Sequence, residues 1–293
     1  MFNGCNVALV TPMLENGSVD YDSLRTLVDY QLENGIDGLV IMGTTGESAT
    51  LLLEEQLEVL DTVIKQVAGR TKIIVGNGSN CTRSAIKKTL EFNKRDIDGY
   101  LTVVPYYNKP SAKGLIAHFT AIAEAADKPT LLYNVPGRTV VDMQPETIGE
   151  LAKVDGIVGL KDASGDPNRV GVLRDLCGPD FCLLSGDDLS TREFILAGGN
   201  GSISVTANVA PGKMTEMCHL AAAGQAQDAK KLDEQLTLLH QRLFLEPSPS
   251  PAKWALQQMS VISSDSVRLP LIPLEPISAP AVKEAMEVSG IPS

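Results

Sequence analysis

The chain has 293 residues, 43% of them hydrophobic, and its 36 acidic against 25 basic side chains leave a net charge of −11. That balance disfavours nucleic acid and anionic membrane as partners, which reward basic patches, but leaves room for a small anionic substrate needing one or two placed cations. No run of roughly 18 uncharged apolar residues occurs, so no membrane-spanning helix is expected.

Short β-branched apolar runs recur along the chain with helical patterns between them. Strands are predicted at Asn6–Val10, Gly38–Met42, Lys72–Gly76, Tyr100–Val104, Thr130–Tyr133, Ile157–Lys161, Cys182–Ser185 and Ser202–Val205. Each run is too short for a buried helix and too continuously apolar for a strand with one wet face. Between them, Glu54–Val67 and Ser111–Ala126 read as helices, the first with Leu57, Leu60, Ile64 and Val67 on one face. Strand one runs into Thr11-Pro12, not into the Gly-x-Gly-x-x-Gly turn that opens many dinucleotide-binding sheets. Strand–helix alternation at this count predicts an α/β fold of the (β/α)8 TIM-barrel type. Beyond about Lys213 only helical patterns remain: Gln227–Phe244, a break at Glu246-Pro247-Ser248-Pro249-Ser250-Pro251, Ala252–Met259, and Ala281–Val288 after a proline-punctuated stretch. The expected division is a barrel over 1–224 and a helical C-terminal extension over 225–293.

In such a barrel the chemistry sits where strands end and loops begin. Strand two is followed by Gly43-Thr44-Thr45-Gly46-Glu47, whose hydroxyls and backbone N–H groups suit a carboxylate. Strand four ends in Pro105-Tyr106-Tyr107-Asn108-Lys109-Pro110; adjacent side chains of an extended segment diverge, so the two tyrosines serve different places. Strand five ends in Tyr133-Asn134-Val135-Pro136-Gly137-Arg138-Thr139, a phenol able to move protons beneath a guanidinium able to grip a carboxylate. Strand six ends on Lys161, just before Asp162-Ala163-Ser164-Gly165. An ammonium among apolar neighbours is costly, and a desolvated lysine amine is freer to attack a carbonyl and form a Schiff base. Strand seven ends in Ser185-Gly186-Asp187-Asp188, and strand eight is framed by Gly198-Gly199-Asn200-Gly201 and Thr206-Ala207-Asn208. Those glycines either let backbone approach a ligand or simply make turns.

The remaining signals are negative. Met1 to Cys5 has no basic cluster and no apolar segment behind it, so no signal peptide is expected. Cys5, Cys81, Cys177, Cys182 and Cys218 are odd in number and never spaced Cys-x-x-Cys, which reads as reduced cytoplasmic thiols packed as small apolar residues. His118, His219 and His240 fall in separate helical segments and read as helix-surface residues, so neither a metal site nor a cofactor is expected.

The Gly43–Glu47, Pro105–Pro110, Tyr133–Thr139 and Gly159-Leu160-Lys161-Asp162-Ala163 motifs, with Lys253-Trp254-Ala255-Leu256 in the extension, resemble those of the pyruvate-dependent class I aldolase family over essentially the whole chain. The resemblance implies that pyruvate condenses with L-aspartate 4-semialdehyde. In that scheme Lys161 forms the imine, Tyr133 donates and accepts protons, and Thr44 links Tyr133 to a Tyr107 reaching into a neighbouring subunit of a homotetramer. Thr45 would hold the pyruvate carboxylate, Arg138 the semialdehyde carboxylate, and Gly186 and Ile203 would lie near Lys161. Sister enzymes such as N-acetylneuraminate lyase or keto-deoxy sugar acid aldolases share the lysine and tyrosine, but Arg138 after Val135-Pro136-Gly137 suits a second carboxylate better than a sugar chain. A non-catalytic keto-acid-binding relative would be expected to lack Lys161, Tyr133 or Thr44, and all three are present. In lysine-inhibited members an effector pocket matches Ser48, Ala49, Asn80 and Tyr106, while Leu53, Gln56 and Ser84 stand where that pocket has two histidines and a glutamate. Lysine sensitivity is therefore expected to be weak or absent.

Overall fold

The computed structural model describes residues 2–292. Met1, where the N-terminal reading and the expected barrel begin, and Ser293, where the expected extension ends, lie outside the described residues.

Eight parallel strands close into a barrel in sequence order: β1 Gly4–Ala8, β2 Gly38–Ile41, β3 Lys72–Gly76, β4 Gly99–Val103, β5 Thr130–Asn134, β6 Ile157–Asp162, β7 Cys182–Ser185 and β8 Gly201–Ser204, with β8 returning to β1. Around them run α1 Tyr21–Glu33, α2 Leu53–Val67, α3 Thr82–Phe92, α4 Ala112–Ala125, α5 Pro136–Thr139, α6 Pro145–Leu151, α7 Arg169–Cys177, α8 Thr191–Leu196 and α9 Pro211–Ala222. Three further helices follow, α10 Ala226–Arg242, α11 Ser250–Gln258 and α12 Ala279–Val288; α10 packs on α9, and α12 packs on α10 and α11.

The alternation of strand side chains separates two cores. Ala8, Val40, Ile74, Leu101, Leu131, Cys182, Leu184 and Ile203 fill the barrel, together with Tyr133. Their neighbours in sequence, such as Leu39, Leu132, Leu160 and Leu183, pack outward among the helices. The barrel strands are thus buried on both faces and mostly apolar on both, which is why they read as largely continuous hydrophobic runs.

The structure departs from expectation at several points. The first strand pairs from Gly4, and Val10 leaves the ladder because its N–H goes to the Asn208 side chain at 3.1 Å. On α2 the buried stripe is Gln56, Val59, Leu60, Val63 and Val67, with Leu57 and Ile64 at its edge. His118 and His240 are buried, 5% and 1% exposed, and not on helix surfaces. A hydroxyl partner makes each burial tolerable: His118 Nδ1 lies 2.9 Å from Thr82 Oγ1, and His240 Nδ1 2.8 Å from Thr206 Oγ1. Cys5, Cys182 and Cys218 are packed inside as expected, but Cys81 is exposed and Cys177 half-buried. The Gly198–Gly201 run precedes β8 and so lies at the end of the barrel away from the strand tips. It makes a close turn: a Cβ on Gly201, at φ +153°, would stand 2.0 Å from the Gly4 carbonyl oxygen.

Candidate active site

Tyr133 and Lys161 are register partners at the carboxyl ends of β5 and β6. Both point into the barrel, 7% and 5% exposed, and Lys161 Nζ lies 4.2 Å from the centroid of the Tyr133 ring. The ring's negative face therefore meets the amine in a largely dry position. Gly186, at the tip of β7, makes this possible: a Cβ there would come within 2.8 Å of Lys161 Cε and 3.1 Å of Cγ. Ile203 lies in the same interior layer as Tyr133.

The residues immediately after this pair fix its geometry. Asn134 Nδ2 donates to Asp142 at 2.8 Å and to Asp162 at 3.2 Å, while its Oδ1 accepts from the Met143 N–H at 2.9 Å. Asp162, 3% exposed, accepts from Arg169 Nε at 2.8 Å and from the Ser164 N–H at 3.0 Å. Backbone bonds from Ala163 N to Asn134 O, 2.8 Å, and from Gly186 N to Asp162 O, 2.7 Å, then tie the tips of β5, β6 and β7 together. Fully bonded buried polar groups of this kind rigidify what they touch. The sequence motifs contained Asn134 and Asp162, but nothing in their spacing marked Arg169 as the partner of Asp162.

The loop carrying Thr44 and Thr45 is held differently. Thr45 is buried and Thr44 exposed. Gly46 O accepts from Thr11 Oγ1 at 2.7 Å, and Met42 and Glu47 stand at φ +59° and +54°, the left-handed region that non-glycine residues adopt only when held there. The Glu47 side chain is the anchor. Its Oε1 accepts from Lys253 Nζ at 2.5 Å and its Oε2 from the Arg268 N–H at 3.0 Å, and the Lys253 and Glu47 side chains are both 0% exposed. Burial pushes the Lys253 ammonium pKa down, against an upward pull from the Glu47 carboxylate. Lys253 also donates to Ser266 O at 2.7 Å, and Arg268 forks onto Glu55 at 2.5 and 2.7 Å and reaches Thr50 O at 2.8 Å. The C-terminal segment thus grips the β2–α2 loop from behind.

Above the strand tips lies a cavity of about 440 Å³, whose lining includes Thr44, Val103, Val135, Arg138 and Thr139 together with Ser48, Ala49, Ser79, Ser84, Lys88 and Tyr106. Arg138 is exposed on the four-residue α5. Tyr107 is 90% exposed at φ +73°, and Tyr106, 40% exposed, lines the cavity, so the adjacent tyrosines do serve different places. Of the expected effector-pocket residues, Ser48, Ala49, Ser84 and Tyr106 share this cavity. Gln56 is buried and donates to Ser48 O and Leu51 O at 3.0 and 2.9 Å, and Asn80 donates to Tyr106 O at 3.3 Å. Leu53 opens α2, half-buried. Among the described residues no cluster of His, Cys, Asp and Glu could hold a metal ion. Among the described residues no helix is long and apolar enough to cross a membrane.

Residues 1–288 match the Dihydrodipicolinate synthetase family. The chain is 50% identical to the 4-hydroxy-tetrahydrodipicolinate synthase of Pseudoalteromonas atlantica, over 99% of each chain. It superposes with a TM-score of 0.97 and 44% identity on a crystal structure of the chloride-inhibited dihydrodipicolinate synthase from Acinetobacter baumannii complexed with pyruvate, covering 99% of this chain and 100% of that one. With the dihydrodipicolinate synthase of Cyanidioschyzon merolae, solved with lysine bound, the TM-score is 0.94 at 40% identity, covering 99% of this chain and 98% of that one.

Proposed function

The chain belongs to the dihydrodipicolinate synthetase family, and on that premise we propose how its own residues carry out the reaction: a lyase-type condensation of pyruvate with L-aspartate 4-semialdehyde to 4-hydroxy-tetrahydrodipicolinate, in the diaminopimelate route to lysine. The observation that carries the assignment is the buried Lys161 amine set 4.2 Å from the Tyr133 ring in space that Gly186 leaves open.

The Lys161 amine attacks the keto carbon of pyruvate, and water leaves as the imine forms. Loss of a methyl proton gives the enamine, whose carbon adds to the aldehyde of the second substrate. The amino group of that substrate then attacks the imine carbon, closing the ring and returning Lys161 as the free amine. Tyr133 moves the protons, because its phenol sits beside the amine, and Thr44 connects it outward to Tyr107. Thr45 and its loop hold the pyruvate carboxylate. Arg138, exposed on the cavity wall, takes the semialdehyde carboxylate.

Tyr107 also supports a homotetramer built as a dimer of dimers. A tyrosine held at φ +73° stores about 1–3 kcal/mol of backbone strain while its side chain stays 90% exposed, which fits a residue that completes a neighbour's site. The biosynthetic role and the five unpaired thiols support a cytoplasmic setting.

Treatment with pyruvate and borohydride, digestion and mass spectrometry should find the reduced adduct on Lys161 alone. An adduct on another lysine, or undiminished trapping in Lys161→Ala, overturns the mechanism. Turnover of pyruvate with N-acetylmannosamine in preference to the semialdehyde would overturn the substrate assignment. Tyr107→Phe should lower turnover, and a fully active monomer in sedimentation would refute the shared site.

A further inference from the structure

Two strand-end segments that the condensation leaves largely unused, Gly186-Asp187-Asp188 after β7 and Thr206-Ala207-Asn208 after β8, are joined by one buried carboxylate. Asp188 reaches across from its turn, and its Oδ2 accepts from the Val205 N–H at 3.1 Å, the Thr206 N–H at 2.9 Å and Thr206 Oγ1 at 3.0 Å. A carboxylate only accepts, so the Thr206 hydroxyl directs its proton to Asp188 and must accept from its other neighbour. That neighbour is His240 Nδ1, 2.8 Å away on α10. A ring proton therefore sits on Nδ1, while Nε2 faces Asp233 Oδ1 at 3.8 Å. Asp233 also accepts from Arg192 Nε at 3.0 Å, which ties α10 to α8. Asp188, Thr206 and His240 are all buried, and from α10 inward each donor points at Asp188.

The loop that Asp188 fastens is the one that packs on the reactive amine's side chain. Gly186 stands so close that a Cβ on it would meet Lys161 Cε at 2.8 Å, and its N–H is held by Asp162 O at 2.7 Å. Two residues on, Asp188 ties the same loop to the end of β8, just past the inward-facing Ile203. Asn208 carries the tie onward, its Nδ2 donating to Ala8 O at 2.8 Å across the seam where β8 meets β1. Freed from Asp188, the Gly186 peptide would shift against the lysine arm and misaim its amine, and small misplacements of reacting groups are costly. We propose that Asp188 is a positioning residue for the Lys161 amine, and that His240, acting through Thr206, holds Asp188 in place from the C-terminal extension. The inference rests on the Schiff-base reading of Lys161.

The test measures, on the full chain, how fast pyruvate and borohydride trap Lys161, together with kcat, both KM values and the thermal midpoint. Asp188→Ala should slow trapping and kcat alike by roughly tenfold or more, with the KM for the semialdehyde unchanged because Arg138 lies elsewhere, on α5. Asp188→Asn keeps an oxygen that can accept from both backbone N–H groups and should restore most of the rate. Thr206→Val keeps those N–H groups and the side-chain shape but cuts the link to His240, and should slow trapping by roughly three- to tenfold. Wild-type trapping rates in Asp188→Ala, even with a lowered thermal midpoint, would make the chain purely structural and overturn the proposal. Should Asp188→Ala not fold, Thr206→Val decides: an unchanged rate there overturns it as well. No trapping in the wild type would instead overturn the Schiff-base reading, and this inference with it.

Discussion

The two halves of the site are built on opposite plans. At the tips of β5 and β6 the Tyr133–Lys161 pair is fixed by its immediate neighbours: Asn134 follows Tyr133, Asp162 follows Lys161, and the bond between Asn134 and Asp162 spans 28 residues of adjacent strands. The Thr44–Thr45 loop instead depends on Glu47, whose partners Lys253 and Arg268 lie 206 and 221 residues away in the C-terminal segment. The strands hold Tyr133 and Lys161 by local geometry. The Thr44–Thr45 loop is held by a remote buried charge. The difference explains a use for the C-terminal segment: it holds the Thr44–Thr45 loop, where Met42 and Glu47 stand in the left-handed region.

The comparison can be broken first at the strand tips. Tyr133→Phe should lower turnover by roughly 10²- to 10⁴-fold, the range of a positioned acid–base group, with little change in thermal midpoint because the ring stays in place. An effect below tenfold in steady-state assays would move the proton transfer elsewhere.

At the other half, Lys253→Met strands Glu47 as an unpaired buried carboxylate, and removing one partner of such a pair destabilises by about 3–5 kcal/mol. Denaturant melts of Lys253→Met and of Glu47→Gln/Lys253→Met should show the double variant recovering most of that loss, since both charges are gone. If the clamp positions the loop, the double variant still has a raised KM for pyruvate. A double variant with wild-type kinetics would make the clamp purely structural.

Arg138 lies outside both frameworks, on the exposed α5. Arg138→Ala should raise the KM for the semialdehyde by roughly 10- to 150-fold while leaving that for pyruvate nearly unchanged, matching the loss of one charge-assisted hydrogen-bonded contact. Equal changes in both would show that Arg138 only supports the loop.

The smallest effect is expected from L-lysine. Ser48 and Ala49, beyond the clamped Glu47, still line the cavity, but Ser84 offers no carboxylate, Gln56 is occupied with backbone carbonyls, and Lys88 adds like charge. Titration into the condensation assay should show little or no inhibition, and strong inhibition at submillimolar effector would refute this reading.

Fully buried parallel strands and amphipathic helices leave their period in the sequence, so the barrel and the positions of Tyr133, Lys161 and Gly186 at strand tips were legible from local pattern. The misplacements share a cause. His118 and His240 looked like surface residues because local pattern cannot show that Thr82 and Thr206 wait to bond them in the interior. The stripe on α2 turned toward Gln56 because that amide caps carbonyls of the preceding loop.

By itself, then, the sequence determined the alternation of elements and the neighbourhood in which each strand ends, because both depend on contacts within a few residues. Only the tertiary structure decided that Lys253 and Arg268 hold Glu47 and that Arg169 braces Asp162. Charge pairing is set by distance in space and by the exclusion of water, and neither quantity is written in spacing along the chain.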